Sequence, residues 1–155
     1  MAMISEGARQ MKRQALSALL IAVCIVTAAI GARSARADDT LYRDLGERVN
    51  LVKIVDYGTD LWLIDPRIKN TFDNLNIERF KGRLVDQLCE LSGGPCRYGG
   101  RNMYESHKGL HLDRAQFNAL VEGLQDGMDK YGVSFRVQNR LLAILAPMEH
   151  DIVTR

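Results

Sequence analysis

Three histidines, His107, His111 and His150, are the side chains of this sequence best suited to hold a transition metal. A solitary histidine on a helix is more often structural or exposed than ligating. His107 stands apart because of its surroundings. It follows a glycine-bearing stretch, Gly99-Gly100, and Met103 precedes it by four residues. That spacing puts both side chains on one helical face. A soft, apolar Met beside an imidazole, with Leu110 beyond, suits the wall of a haem pocket. Iron commonly takes a neutral His nitrogen while the other ring nitrogen donates to a carbonyl. Periodicity alone reads Met103 equally well as ordinary core.

Cysteine is the second reactive residue type. Lys12 and Arg13 precede an apolar run from Ala15 to Ala32, and Ala35-Arg36-Ala37 follows. A basic start, an apolar middle and an Ala-x-Ala end form a secretory signal, with cleavage expected after Ala37. The competing reading is an uncleaved anchor, since about 17–25 apolar residues span a bilayer. The small residues before the cleavage point favour removal. Cys24 lies mid-run, which disfavours a lipid-modified cysteine. Export would leave Cys89 and Cys96 in an oxidising compartment, where such a pair invites a disulfide. The turn-forming Ser92-Gly93-Gly94-Pro95 between them can bring the sulfurs together, and two free thiols are the alternative.

Residues 1–37 hold five Lys/Arg and one acid; removing these from totals of 21 and 19 leaves 16 basic and 18 acidic residues in 38–155. The body is therefore about two units negative, with its basic groups dispersed. No basic stripe with interleaved aromatics is present, which excludes a nucleic-acid surface. A length of 155 residues, 46% of them hydrophobic, suits one folded domain over 38–155 behind the signal.

The elements that must position His107 read as helices throughout. A short helix is expected within 38–45. Val49, Val52, Ile54, Val55, Leu61, Trp62 and Ile64 predict a broad helical face over 48–64, ended by Asp65-Pro66. Phe80, Leu84, Leu88 and Leu91 predict a helix over 77–91 with Asn76 as N-cap. A short helix follows around 102–110. Asp113 and Gln116 read as a capping box for a helix carrying Phe117, Leu120, Val121, Leu124 and Met128 on its buried face up to Lys130. Gly132 breaks it, and Ser134 opens a last helix with Val137, Leu141, Leu142, Leu145 and Met148 inward. No strand-like alternation and no repeat appears.

The stretch Gly93-Gly94-Pro95-x-x-Tyr98-x-Gly100-Arg101-x-Met103-x-x-x-His107 resembles the central signature of group 1 truncated globins. The resemblance extends through Leu41-Tyr42-x-x-Leu45-Gly46, Asp65-Pro66-Arg67, Phe72, Phe117 and Leu145-Ala146-Pro147-Met148, covering nearly all of 40–152. It implies an all-α, two-over-two helical sandwich around haem b. It implies His107 as proximal ligand, Phe72 as a pocket aromatic, and Met103, Phe80, Leu84 and Phe117 as haem-lining groups. Arg83, and with it Arg79, falls where a basic side chain reaches a propionate.

The distal side departs from the family. Gly58-Thr59 stands where a Phe-Tyr pair is common, Leu84 where a Gln is common, and Phe80 at the gate position. Only the Thr59 hydroxyl, or Tyr57 if the helix shifts about Gly58, remains as a distal donor. Glu47 replaces a common Gly. The resemblance thus implies reversible binding of oxygen, carbon monoxide or nitric oxide, with fast oxygen release and an unidentified reductase, and the signal pattern makes the expected protein exported and periplasmic. Membrane association follows only if the signal is retained. A redox enzyme of nitric-oxide dioxygenase or peroxidase type would need a distal acid/base or an electron supply, and neither is evident. A helical binding module without haem is the third reading.

Overall fold

A computed structural model describes residues 39–155; the signal segment, Cys24 and the cleavage point after Ala37 lie outside the described residues. Within them every regular element is helical. Helix α1 spans Thr40–Asp44 and α2 spans Glu47–Trp62, followed by a 3-10 turn at Lys69–Phe72. Helix α3 spans Ile77–Leu91, α4 Met103–His107, α5 Arg114–Lys130 and α6 Phe135–Leu145. A second 3-10 turn at Ala146–Met148 leads into α7, Glu149–Ile152. Helix α2 is the central element: it packs on both α3 and α5, while α4 rests against α7.

The helix boundaries follow local chemistry. Asn76 accepts a hydrogen bond from the Arg79 amide at 2.9 Å and starts α3. Asp113 accepts from the Gln116 amide at 2.9 Å while the Gln116 side chain accepts from the Asp113 amide at 3.0 Å. Such a box satisfies two otherwise orphaned donors, and losing the cap costs about 1 kcal/mol. Asp65 closes the end of α2 by accepting from the Arg67 amide at 2.8 Å and from its guanidinium. Those bonds hold the Asp65 carboxyl below the usual carboxylate range.

The buried stripe of α2 is Leu51, Ile54, Val55, Gly58, Thr59 and Trp62. It corrects the sequence-based face: Val49 and Ile64 are 71% and 73% exposed, and Val52 is exposed too. At about 100° per residue, Val52 lies one step and Val49 two steps off the stripe, and Ile64 falls beyond the helix end. On α5 the fully buried positions are Ala119, Gly123, Leu124, Gly127 and Met128, while Phe117, Leu120 and Val121 are half-buried.

Small residues explain this shift. A Cβ on Gly123 would lie 2.3 Å from Trp62 Nε1, and one on Gly127 would lie 2.7 Å from the Ile54 carbonyl oxygen. A Cβ on Gly58 would lie 3.2 Å from the Gly123 carbonyl oxygen. The α2–α5 contact is thus built backbone to backbone, and Trp62 fills its edge by donating from Nε1 to the Leu120 carbonyl at 3.1 Å. Glu47 has φ +58°, a left-handed conformation that costs a side-chain-bearing residue about 1–2 kcal/mol. That strain accounts physically for the glycine expected there.

Candidate functional site

A cleft of about 550 Å³ opens between α3 and the segment that ends in α4. This lies within the roughly 300–1,000 Å³ of cofactor pockets. One wall is the α3 stripe Phe80, Arg83, Leu84 and Gln87; the other is Tyr98–Arg101 with Met103, Ser106 and His107. The stripe repeats at i, i+3, i+4 and i+7, so one helical face supplies the whole wall. Gln87 is the member of it that sequence reading missed, though its seven-residue spacing from Phe80 marks it. Its amide Nε2 lies 3.4 Å from Met103 Sδ, a weak acceptor, and links the two walls.

His107 sits at the end of α4, whose N-cap Asn102 accepts from the Glu105 amide at 2.8 Å. The imidazole Nδ1 lies 2.7 Å from the Met103 carbonyl oxygen. A carbonyl can only accept, so Nδ1 must carry the proton. In the neutral ring the unprotonated nitrogen is then Nε2, which is the state a metal requires. Among the described residues no three or more His, Cys, Asp or Glu side chains cluster as a chelating set. A metal at His107 would therefore arrive inside its own ligand frame.

The charge of the cleft fits that frame. Arg79, Arg83 and Arg101 line it, and no acidic side chain does. None of the three forms an ion pair among the described residues. The Arg83 guanidinium lies against Gly99, where a Cβ would approach Nη1 to 2.8 Å. Apolar Phe80, Leu84 and Met103 with an arginine-bearing rim suit a flat apolar ring that carries carboxylates. Haem, with two propionates, is such a molecule, and the residues present fit it.

A scan for known families matches the bacterial-like globin family over residues 40–154. This chain belongs to the truncated globins. A group 1 truncated hemoglobin of Tetrahymena thermophila is 34% identical over 116 residues, covering 75% of this chain and 96% of that one. The crystal structure of truncated hemoglobin from Tetrahymena pyriformis in its Fe(III) form superposes with a TM-score of 0.72 at 30% identity, covering 74% of this chain and 98% of that one. A 2/2 hemoglobin from Synechococcus, solved with covalently attached heme, shares the fold at a TM-score of 0.69 and 24% identity, covering 74% and 98%. Membership implies haem as the cofactor and the two-over-two helical fold for this globin.

Of the residues expected on the distal side, Phe80 and Leu84 line the cleft, whereas Tyr57, Gly58 and Thr59 do not; nor do Phe72 and Phe117. Phe72 is buried behind Phe80, at 5.5 Å between ring centroids, and stacks on Trp62 at 6.3 Å. It supports the cleft wall without lining it. The Thr59 hydroxyl is fully buried and donates to the Val55 carbonyl of its own helix at 2.7 Å. Tyr57 faces the end of α5, with Lys130 Nζ 3.7 Å from its ring centroid and Tyr131 edge-on at 6.4 Å. Gly58 lies at the α2–α5 contact, so its missing side chain makes room for helix α5. Phe117 is half-buried and outside the cleft wall. The reason is common to Tyr57, Gly58 and Thr59: helix α2 is packed on α5 and α3, and none of these three lines the cleft.

Proposed function

We propose that this globin holds haem b in the α3–α4 cleft with His107 as the proximal ligand, and that it binds a diatomic gas there reversibly, oxygen first among them. The observation that carries this reading is the Nδ1–H bond from His107 to the Met103 carbonyl, which directs a lone pair on Nε2 away from its own helix. Arg83, Arg79 and Arg101 would receive the propionates, and Phe80, Leu84 and Met103 the faces and edge of the ring. Bound haem supplies an iron with a position open to oxygen, carbon monoxide or nitric oxide. The chain's own part is to hold the imidazole in one tautomer, keep water from the ring and leave the gas unpolarised. With the Thr59 hydroxyl bonded within its helix and the Gln87 amide turned to Met103 Sδ, neither donates to bound oxygen, which leaves quickly.

The protein's place is proposed from the sequence: residues 1–37 export it and are removed after Ala37, leaving a globin domain of 38–155. The bonded pair Cys89–Cys96 is consistent with an oxidising compartment. Among the described residues no helix is long and apolar enough to cross a membrane.

Absorption spectra of the purified protein in ferric, ferrous and carbon-monoxide-bound forms test the haem reading. A Soret band that shifts on reduction and again with carbon monoxide is expected; absence of any Soret band after reconstitution with hemin would refute it. Mass measurement of protein from the periplasmic fraction tests the export proposal, with a mature chain starting at Asp38 as the expected result.

A further inference from the structure

The polypeptide between α3 and α4 has no regular secondary structure over residues 92–102, yet four of its residues form a wall of the cleft. Helix α4, which carries His107, is five residues long and has no buried residue. Its own packing is therefore a weak anchor, and the segment that enters it must be held from elsewhere.

The hold is concentrated at the end of α3. Ser92 donates from Oγ to the Leu88 carbonyl at 2.7 Å, Gly93 takes φ +88°, and the Gly94 amide donates to the Cys89 carbonyl at 2.8 Å. Gly94 permits this close reversal, since a Cβ there would lie 2.7 Å from Cys89 Sγ and 2.6 Å from the Tyr42 ring. The reversal brings the Cα atoms of Cys89 and Cys96 to 5.7 Å, and their sulfurs are bonded. Two residues further on, the Tyr98 amide donates to Glu90 Oε2 at 2.9 Å, and Arg97 pairs with the same carboxylate at 3.3 Å. Arg48 of α2 reaches over to donate from Nη1 to Cys96 Sγ at 3.3 Å and to Asp86 at 2.7 Å. Tyr98, Gly99, Gly100 and Arg101, the cleft residues, come directly after these ties.

We propose that the Cys89–Cys96 bond, with Glu90 as a positioning residue, is a clamp that makes haem retention depend on thiol–disulfide state; this rests on the haem reading above. Cys89 is fully buried and Cys96 is half-buried, so an external dithiol reaches Cys96 first. Its thiolate attacks Cys96 Sγ, forming a mixed disulfide and expelling Cys89 as a thiolate that takes up a proton. The second thiolate of the reductant then displaces Cys96, which leaves beside the Arg48 guanidinium and is protonated in turn. Two electrons pass from the dithiol, which becomes a cyclic disulfide, and two protein thiols result. Without the covalent link the loop keeps only non-covalent ties to α3, chiefly those of Glu90, among the described residues, and the Arg101 rim and the entry to α4 loosen together.

The test is haem transfer from the ferric protein to excess apomyoglobin. Compared with the oxidised protein, the dithiothreitol-reduced and alkylated protein and the Cys89→Ser/Cys96→Ser variant are expected to lose haem about tenfold or more faster. Glu90→Gln, with the bond intact, is expected to lose it about threefold faster. Reduction without alkylation, followed by reoxidation, should restore slow loss, which damage to the fold would not allow. In haem-free protein, hydrogen exchange at the Tyr98 and Gly99 amides should speed up on reduction while the amides of α5 stay protected. Haem loss unchanged by reduction, or exchange unchanged at Tyr98, overturns the clamp. An oxidised protein that takes up no haem overturns the haem reading instead, and the exchange experiment then still decides whether the bond orders the loop.

Discussion

The two sides of the cleft are held by different means. The α4 side is a short exposed helix and an irregular loop, fixed by polar bonds and one covalent link: Asn102 to Glu105, Glu90 to Tyr98, His107 to Met103, and Cys89 to Cys96. The α3 side is a long helix whose Phe80 packs on Trp62 and Phe72, the three ring centroids lying within 6.3 Å of one another, and the glycine-lined α2–α5 contact adds to the same core. Directional bonds aim one imidazole nitrogen; close apolar packing makes a smooth wall but aims nothing. On the proposed reading, local chemistry aims the proximal imidazole, and the α3 side would contribute shape and exclusion of water.

That contrast can be broken at four points, in order of expected effect. His107→Ala should reduce haem occupancy to background after gel filtration, read as the Soret-to-protein absorbance ratio, and added imidazole should restore part of it. Normal occupancy in the variant would end the proximal assignment. Gly123→Ala places a methyl 2.3 Å from Trp62 Nε1 and should cost about 1–3 kcal/mol in urea unfolding, since overpacking a close helix contact forces side chains off their rotamers.

Gly82→Ala provides the opposite sign on the cleft helix. Gly82 is exposed within α3 and a Cβ there would meet nothing within 4 Å, so the change should stabilise by about 0.5–1 kcal/mol through helix propensity. A loss of stability would mean that α3 is packed on its outer face as well. Thr59→Val should have the smallest effect. Its hydroxyl bonds to Val55 within the helix, so oxygen release measured by stopped flow should change less than about twofold. A much faster release in the variant would show that Thr59 turns toward the ligand after all.

Much of the fold was legible because its signals are local. Asn76, Asp113 with Gln116, and Gly132 act within four residues of themselves, and they mark the observed start of α3, the start of α5 and the break after α5. The same holds for His107 and Met103, whose spacing on one turn already contains the carbonyl that orients the ring. The α2 face was misread in part, because Val49 and Val52 are as apolar as the residues that are buried. Which side of a helix turns inward depends on its partners. Here Gly123 and Gly127, some seventy residues away, set the rotation of α2 by admitting Trp62 and the Ile54 carbonyl to the backbone of α5. Tyr57, Gly58 and Thr59 moved away from the cleft for that reason.

The sequence by itself determined the helical class, most element boundaries, the iron-holding candidate His107 and the pairing potential of Cys89 and Cys96, since each depends on short-range periodicity, capping or turn chemistry. The tertiary structure decided which side chains face the cleft. It turned α2 toward α5, kept Thr59 bonded within its own helix, brought Gln87 and three arginines without an ion pair among the described residues to the walls of the cleft, and tied the loop before His107 to the end of α3. Those outcomes rest on contacts between residues distant in the chain, where volume and close approach decide.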